Sequence, residues 1–209
     1  GTLSAPHLLV AAGAWSKRIL LAAGHPLPLV PYRTQAAVLL PPVPRTETFP
    51  TAHDLDTDVY VRPEGPGRLL AGDGTERVEA DPERFVTGGD PSFLAHLATS
   101  LATRFPGWAS ASVVTSWAGV CTATPDRRPL VGPVPGAPGL FVMTGFNGFG
   151  VMRAGGIARR LADLLADGND SDAARDGLAP VLPERFHGGV PPFSPRPGFT
   201  LEAGRDPRF

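Results

Sequence analysis

The residues whose types and spacing most clearly could do chemistry are Gly145-Phe146-Asn147-Gly148-Phe149-Gly150. They follow the apolar run Leu140–Thr144. They precede Ala154, Ile157, Ala158, Leu161, Leu164 and Leu165, which recur at helical spacing. Glycines at 145, 148 and 150 let a ligand approach the backbone closely. A strand–glycine turn–helix also leaves the first amides of the helix without partners, pointing at whatever lies before it. A helix N-terminus carries roughly half a positive charge. Such a place favours an anion: a phosphate, a carboxylate, or the electron-rich edge of a reduced flavin. The order G-x-x-G-x-G reverses the dinucleotide fingerprint G-x-G-x-x-G, and the chain holds no copy of that fingerprint. The plainer alternative is a turn whose glycines only let the helix pack on the sheet.

Other candidates carry less. Ala11-Ala12-Gly13-Ala14-Trp15-Ser16 is a strand-to-helix turn whose small residues suit either a cofactor or simple packing. Thr124-Pro125-Asp126 is an ordinary turn opener, here leading into Leu130-Val131. The five histidines, at 7, 25, 53, 96 and 187, show no i, i+4 pair, and no metal site is expected. No serine sits in a G-x-S-x-G elbow. The single cysteine, Cys121, excludes an intrachain disulfide and reads as a small buried residue before it reads as a nucleophile. The single lysine, Lys17, lies in no glycine-rich loop, which removes a phosphate-loop lysine.

These residues need elements to hold them. The chain has 209 residues, enough for one to two domains with a real core. A net charge of −1 provides no electrostatic footprint for nucleic acid or an anionic membrane. No apolar run approaches the roughly 20 residues of a membrane span. Leu8–Ala14 is apolar but lacks a basic leader, so a cytoplasmic location is expected. The 25 glycines and 25 prolines are spread among apolar runs and imply many turns.

Leu8–Ala12 reads as a fully buried strand, and Ser16–Ala23 as a short helix ended by Gly24. Thr34–Leu40 is a strand candidate, and His53–Asp58 a polar loop. Asp58–Arg62 and Arg68–Ala71 form a hairpin around Gly65-Pro66-Gly67. Asp90-Pro91 opens a helix as N-cap and first residue. Phe93, Leu97, Leu101 and Phe105 give it a buried face, and Pro106-Gly107 ends it. Ser110–Ala118 reads as a strand. Asn169–Asp176 is polar, and from Pro180 onward an extended, surface-hugging tail is expected. The fold class that follows is α/β with an α+β insertion.

Five segments occur in one order: AAGAWS at 11–16, YVRPE at 60–64, SWAGV at 116–120, TPDRRPLVGPVPG at 124–136, and GLFVMTGFNGFGVMRAGGIARRLADLLADG at 139–168. That order resembles the C-terminal half of FAD-dependent oxidoreductases of the D-amino-acid oxidase type, which include glycine oxidase and sarcosine oxidase. The resemblance runs from about residue 5 to 168, with a looser echo at Pro183-Glu184-Arg185-Phe186. It implies the C-terminal portion of a Rossmann-like FAD-binding domain, in residues 1–25 and 122–168. It places a mostly antiparallel substrate-binding domain at 26–121 and leaves 169–209 as the Pro-rich tail. It implies FAD as cofactor and hydride transfer from a carbon next to an amine to flavin N5. The substrate would be a small amine or amino acid. The family's N-terminal ADP-binding half is not in this sequence, so a fragment, or a subunit completed by another chain, is expected. A non-catalytic scaffold, or a flavoenzyme acting on a hydroxy acid, is the alternative.

The resemblance assigns cofactor contacts to Ala12, Gly13 and Trp15 near the ADP portion. It assigns Gly145, Phe146, Asn147, Gly148, Phe149, Gly150 and Val151 to the isoalloxazine ring. The substrate pocket departs from the family. Sarcosine-oxidase-like members place a lysine where Met152 stands, with Arg153 beside it. Relatives place an arginine or tyrosine where Cys121 stands. The covalent flavin cysteine of some members falls at Gly119, so Cys121 is not an attachment point. Arg33 and Arg62 remain candidate partners for a substrate carboxylate, with solvated surface arginine as the plainer reading of each.

Overall fold

The structure is a computed structural model that describes residues 1–43, 49–73, 79–166 and 175–191. The chain divides into two compact units. Unit 1 comprises Gly1–Tyr32, Glu79–Glu83 and Val120–Ser194; unit 2 comprises Arg33–Val78, Arg84–Gly119 and Pro195–Phe209.

Unit 1 is built on a three-stranded sheet. Strands β1 (Leu8–Val10) and β8 (Leu140–Thr144) pair in parallel, and β7 (Leu130–Pro133) runs antiparallel to β8. The sheet order is β1-β8-β7, so β8 is central, as its continuous apolar sequence requires. Helix α1 (Ser16–Ala22) follows β1 through a 3-10 turn at Gly13–Trp15, and Gly24 at φ +80° stops it. Helix α3 (Gly150–Ala166) follows β8.

Two cores serve this sheet. Val10, Leu20, Leu29, Leu130, Val134 and Val142 form one; Val131, Phe141, Leu161, Leu164, Leu178, Val181 and Leu182 form the other. Leu130 and Val131 are neighbours in β7 and fall in different cores, because successive strand residues face opposite sides of a sheet.

Three expectations need correction here. First, β1 is not fully buried: Leu8 is 61% and Leu9 43% exposed. Among the described residues β1 pairs only with β8, which leaves its outer edge without a strand partner, and only Val10 enters the core. Second, the described part of the C-terminal stretch is not extended. It forms 3-10 turns at Ala179–Val181 and Pro183–Phe186, and Leu178, Val181 and Leu182 are buried in the core. Burying three aliphatic side chains outweighs the proline-driven tendency to stay extended. Residues 167–174 and 192–209 lie outside the described residues. Third, the Leu130-Val131 step after the Thr124-Pro125-Asp126 turn is a strand, β7, in an antiparallel hairpin with β8.

Unit 2 carries most of a five-stranded sheet ordered β3-β4-β5-β2-β6. The strands are β2 (Val30–Leu40), β3 (Ala52–Asp54), β4 (Val59–Pro63), β5 (Leu69–Asp73) and β6 (Ser112–Ala123). The pairs β3–β4, β4–β5 and β2–β5 are antiparallel. The expected hairpin is β4–β5, and Gly65 and Gly67 take the positive φ that its loop needs. His53 and Asp54, expected in a loop, belong instead to β3, where His53 stands opposite Tyr60 and bonds Asp58 at 2.7 Å.

Helix α2 (Pro91–Arg104) buries Phe93, Leu97 and Leu101 against Ala37, Leu39, Val59, Val61, Leu69 and Ala71. Asp90 has N-cap geometry, yet its side chain makes no cap bond. Its carboxylate takes the Arg33 guanidinium instead, in a bidentate pair of two charged groups.

Candidate functional site

The glycine turn between β8 and α3 is a sharp reversal made of left-handed residues. Gly145 has φ +74°, Asn147 +55° and Gly148 +88°. At Gly145 a side chain is excluded twice: the φ is unfavourable, and a Cβ would stand 2.7 Å from Thr124 Cγ2. At Gly148 a Cβ would stand 3.5 Å from the hydroxyl of Tyr32, a buried residue.

Asn147 is only 4% exposed and turned into the protein. Its Nδ2 donates to Gly145 O at 2.6 Å, its Oδ1 accepts from Thr124 N at 3.4 Å, and its own backbone N–H donates to Thr122 O at 3.0 Å. Phe149 N closes the next turn onto Phe146 O at 3.0 Å. The Arg153 guanidinium lies 4.8 Å from the centre of the Phe149 ring.

Helix α3 then begins in the open. Val151 is fully exposed and Met152 74% exposed, and the first turn contains no acidic residue. The amides of that turn have no acceptor within their own helix, and no carboxylate of the first turn offsets the positive end.

The Ala11–Ser16 turn is joined to this one. Thr144, the last residue of β8, is 2% exposed and donates from Oγ1 to Gly13 O at 3.1 Å. Gly13 has φ +51°, and a Cβ there would meet nothing within 4 Å. The space in front of it is open. Trp15 Nε1 donates to Glu83 Oε1 at 2.5 Å, and Lys17 pairs with Glu79 at 2.7 Å. These bonds tie residues 79–83 to the start of α1. Ser16 Oγ is buried without a hydrogen-bond partner among the described residues, as is Thr122 Oγ1. The backbone at Gly13 is thus open, while the Ser16 hydroxyl is enclosed by the protein.

The family-derived pocket candidates fall in both units. Cys121 is half-buried on β6, and Met152 is exposed at the start of α3; both belong to unit 1. Arg33 and Arg62 belong to unit 2. Arg33 is committed: it bonds Asp90 at 2.5 and 3.1 Å, Val86 O at 2.8 Å and Gly88 O at 2.5 Å. Arg62 is half-exposed and pairs with Glu64 at 2.7 Å.

Sequence reasoning missed the role of Asp126. Its carboxylate receives Arg185 Nε at 2.7 Å and Nη2 at 3.0 Å, and Arg185 also donates to the carbonyls of Val181, Leu182 and Arg128. Burial pushes the Asp126 carboxyl up, but the Arg185 bonds and charge outweigh it and hold the group below the usual aspartate value. The pair fastens the 124–130 turn to the C-terminal core segment. The signal was present in the looser Pro-Glu-Arg-Phe echo at 183–186.

Among the described residues no group of histidine, cysteine and carboxylate residues could hold a metal ion. No helix there is long and apolar enough to cross a membrane.

Residues 1–164 match the family model described as FAD dependent oxidoreductase (DAO). A glycine oxidase of Pseudomonas aeruginosa is 33% identical over 172 residues, covering 79% of this chain and 43% of that protein. Among solved structures, glycine oxidase from Geobacillus kaustophilus superposes with a TM-score of 0.71 at 26% identity, covering 88% of this chain and 47% of its own. L-proline dehydrogenase from P. horikoshii has the same fold, with a TM-score of 0.73 at 23% identity over 88% and 48% of the two chains. The chain therefore spans less than half the length of each of these proteins.

Proposed function

The chain belongs to the DAO family of FAD-dependent oxidoreductases, and from that premise we propose that it is part of an enzyme that oxidises a small amine or amino acid by hydride transfer to flavin N5. The observation that carries the reading is the open N-terminus of α3 behind the left-handed glycine turn. When bound, FAD supplies the hydride acceptor; the protein supplies binding, orientation and electrostatics.

The residues fit that group. Gly145, Gly148 and Gly150 let the turn pack against Thr124, Tyr32 and Phe146, and Phe146, Phe149 and Val151 on the same turn would lie toward the isoalloxazine ring. The first amides of α3 would face the cofactor, where their fixed dipole would favour negative charge. Gly13, with the open space before it, and its neighbours Ala12 and Trp15 would receive the ADP side. Residues 1–25 and 122–168 would then be the FAD-binding pieces, and 26–121 the substrate-binding domain. The rest of the ADP-binding surface would come from polypeptide outside these 209 residues, since the sequence has no G-x-G-x-x-G.

Substrate identity follows less directly. Met152 cannot hold a carboxylate by charge, and Arg33 has its donors engaged within unit 2. Flavin bleaching by a panel of amines, amino acids and hydroxy acids, measured on the full-length polypeptide, tests the reading. Bleaching by amines or amino acids is expected. Bleaching by hydroxy acids alone would replace the substrate class, and no reduction by any of them would overturn the assignment. The isolated 209-residue chain is expected to purify colourless; stoichiometric, slowly released flavin would remove the proposal that the ADP half lies elsewhere.

A further inference from the structure

Asn147 separates from its neighbours in the glycine turn. Gly148–Gly150 lead into the exposed start of α3, whereas Asn147 is buried and its polar atoms serve the protein. Its three bonds reach Gly145 O on one side and Thr122 O and Thr124 N on the other. The assignment of its amide oxygen and nitrogen is forced, since one neighbour is a carbonyl and the other an N–H. Thr122 lies on β6, and Thr124 directly follows that strand. The turn after β8 is thereby registered against the end of β6, beside Cys121.

We propose that Asn147 is the positioning residue of this turn: it fixes where the Gly148–Gly150 backbone and the first amides of α3 stand, and so tunes the reduction potential of the flavin through the backbone it holds. The inference rests on the flavin reading above. Two properties of Asn147 can be separated. The left-handed backbone at φ +55° suits asparagine, aspartate and glycine. The double tie to Gly145 and Thr124 needs a side chain with one donor and one acceptor, which among these three only asparagine supplies at neutral pH.

The test uses the full-length, FAD-loaded polypeptide and two variants, with potentiometric titration, FAD titration and thermal unfolding as readouts. Asn147→Gly keeps the backbone and removes the tie. It is expected to lower the preference for reduced over oxidised flavin by about tenfold, equivalent to a potential about 30 mV more negative for a two-electron couple. Asn147→Asp loses the donor when ionised and regains it when protonated. Its potential is expected to lie below wild type at neutral pH and to converge on wild type at matched pH as the solution is acidified. Should Asn147→Gly fail to fold, this pH convergence carries the test.

An Asn147→Gly protein with wild-type potential and FAD affinity, whatever its unfolding temperature, would show a purely structural residue and overturn the proposal. An Asn147→Asp offset that stays constant with pH would do the same. A wild-type polypeptide that binds no flavin would overturn the flavin reading itself, and this inference with it.

Discussion

Thr144 Oγ1 donates to the carbonyl of Gly13 across 131 residues of sequence, and that bond joins the two glycine-bearing turns of unit 1. Thr144 ends the strand that feeds α3, and Gly13 opens the turn that feeds α1. Neither turn is positioned by its own residues alone.

Thr144→Val keeps the shape of the buried side chain and removes the donor. A net loss of about 1 kcal/mol in stability is expected, the ordinary contribution of one hydrogen bond. The consequence for flavin binding is larger than for the fold. In the full-length polypeptide FAD dissociation should quicken, read by fluorescence of released flavin, and an unchanged release rate would show that the two turns are independent.

Asp126→Asn should cost about 2 kcal/mol, because it leaves the Arg185 guanidinium facing a neutral amide in a part-buried setting. The pH dependence has a definite sign. The folded carboxyl titrates below its unfolded value, so its stabilisation is complete above about pH 4 and is lost as the pH falls through that value toward the lower folded one. Denaturant unfolding of wild type and Asp126→Asn at pH 7 and pH 3 measures this. The gap between the two proteins should narrow at the lower pH.

Gly72 stands opposite Tyr60 in the β4–β5 ladder, and a Cβ on it would come within 2.2 Å of the Tyr60 hydroxyl. Gly72→Ala must therefore displace the Tyr60 ring, at a cost of about 1–3 kcal/mol. Adding Tyr60→Ala should recover part of that loss. A double-mutant cycle with no coupling between the two positions would contradict the packing described here.

Arg33→Ala should destabilise unit 2 by about 2–3 kcal/mol, since it strands Asp90 and frees two carbonyls. The apparent KM for amine substrates should stay unchanged, because the guanidinium is already spent. Arg62→Ala, at a half-exposed pair, should change stability by less than about 0.5 kcal/mol. A KM raised by Arg33→Ala with unfolding unaltered would return Arg33 to the substrate pocket.

The local elements were largely legible. Four-residue apolar spacing marked α2, the continuous apolar run marked β8, and Gly65 and Gly67 marked the hairpin. The polar residues His53 and Asp54 carry no strand signal of their own, and the β4 strand folded back opposite them makes them β3. The apolar run at Leu8–Val10 was read as buried, yet burial of a strand depends on neighbours that its own residues do not specify.

The sequence by itself determined the glycine turn, the helix behind it and the family to which their order belongs, because backbone freedom and hydrophobic period are local properties. Tertiary structure alone decided which polar groups are spent inside the protein. Arg33 meets Asp90 57 residues away, Asp126 meets Arg185 across 59, and Asn147 turns inward to Thr122 and Thr124. A side chain's type states what it can bond; only the packed chain, bringing distant donors within about 3 Å of acceptors, determines which bond it makes.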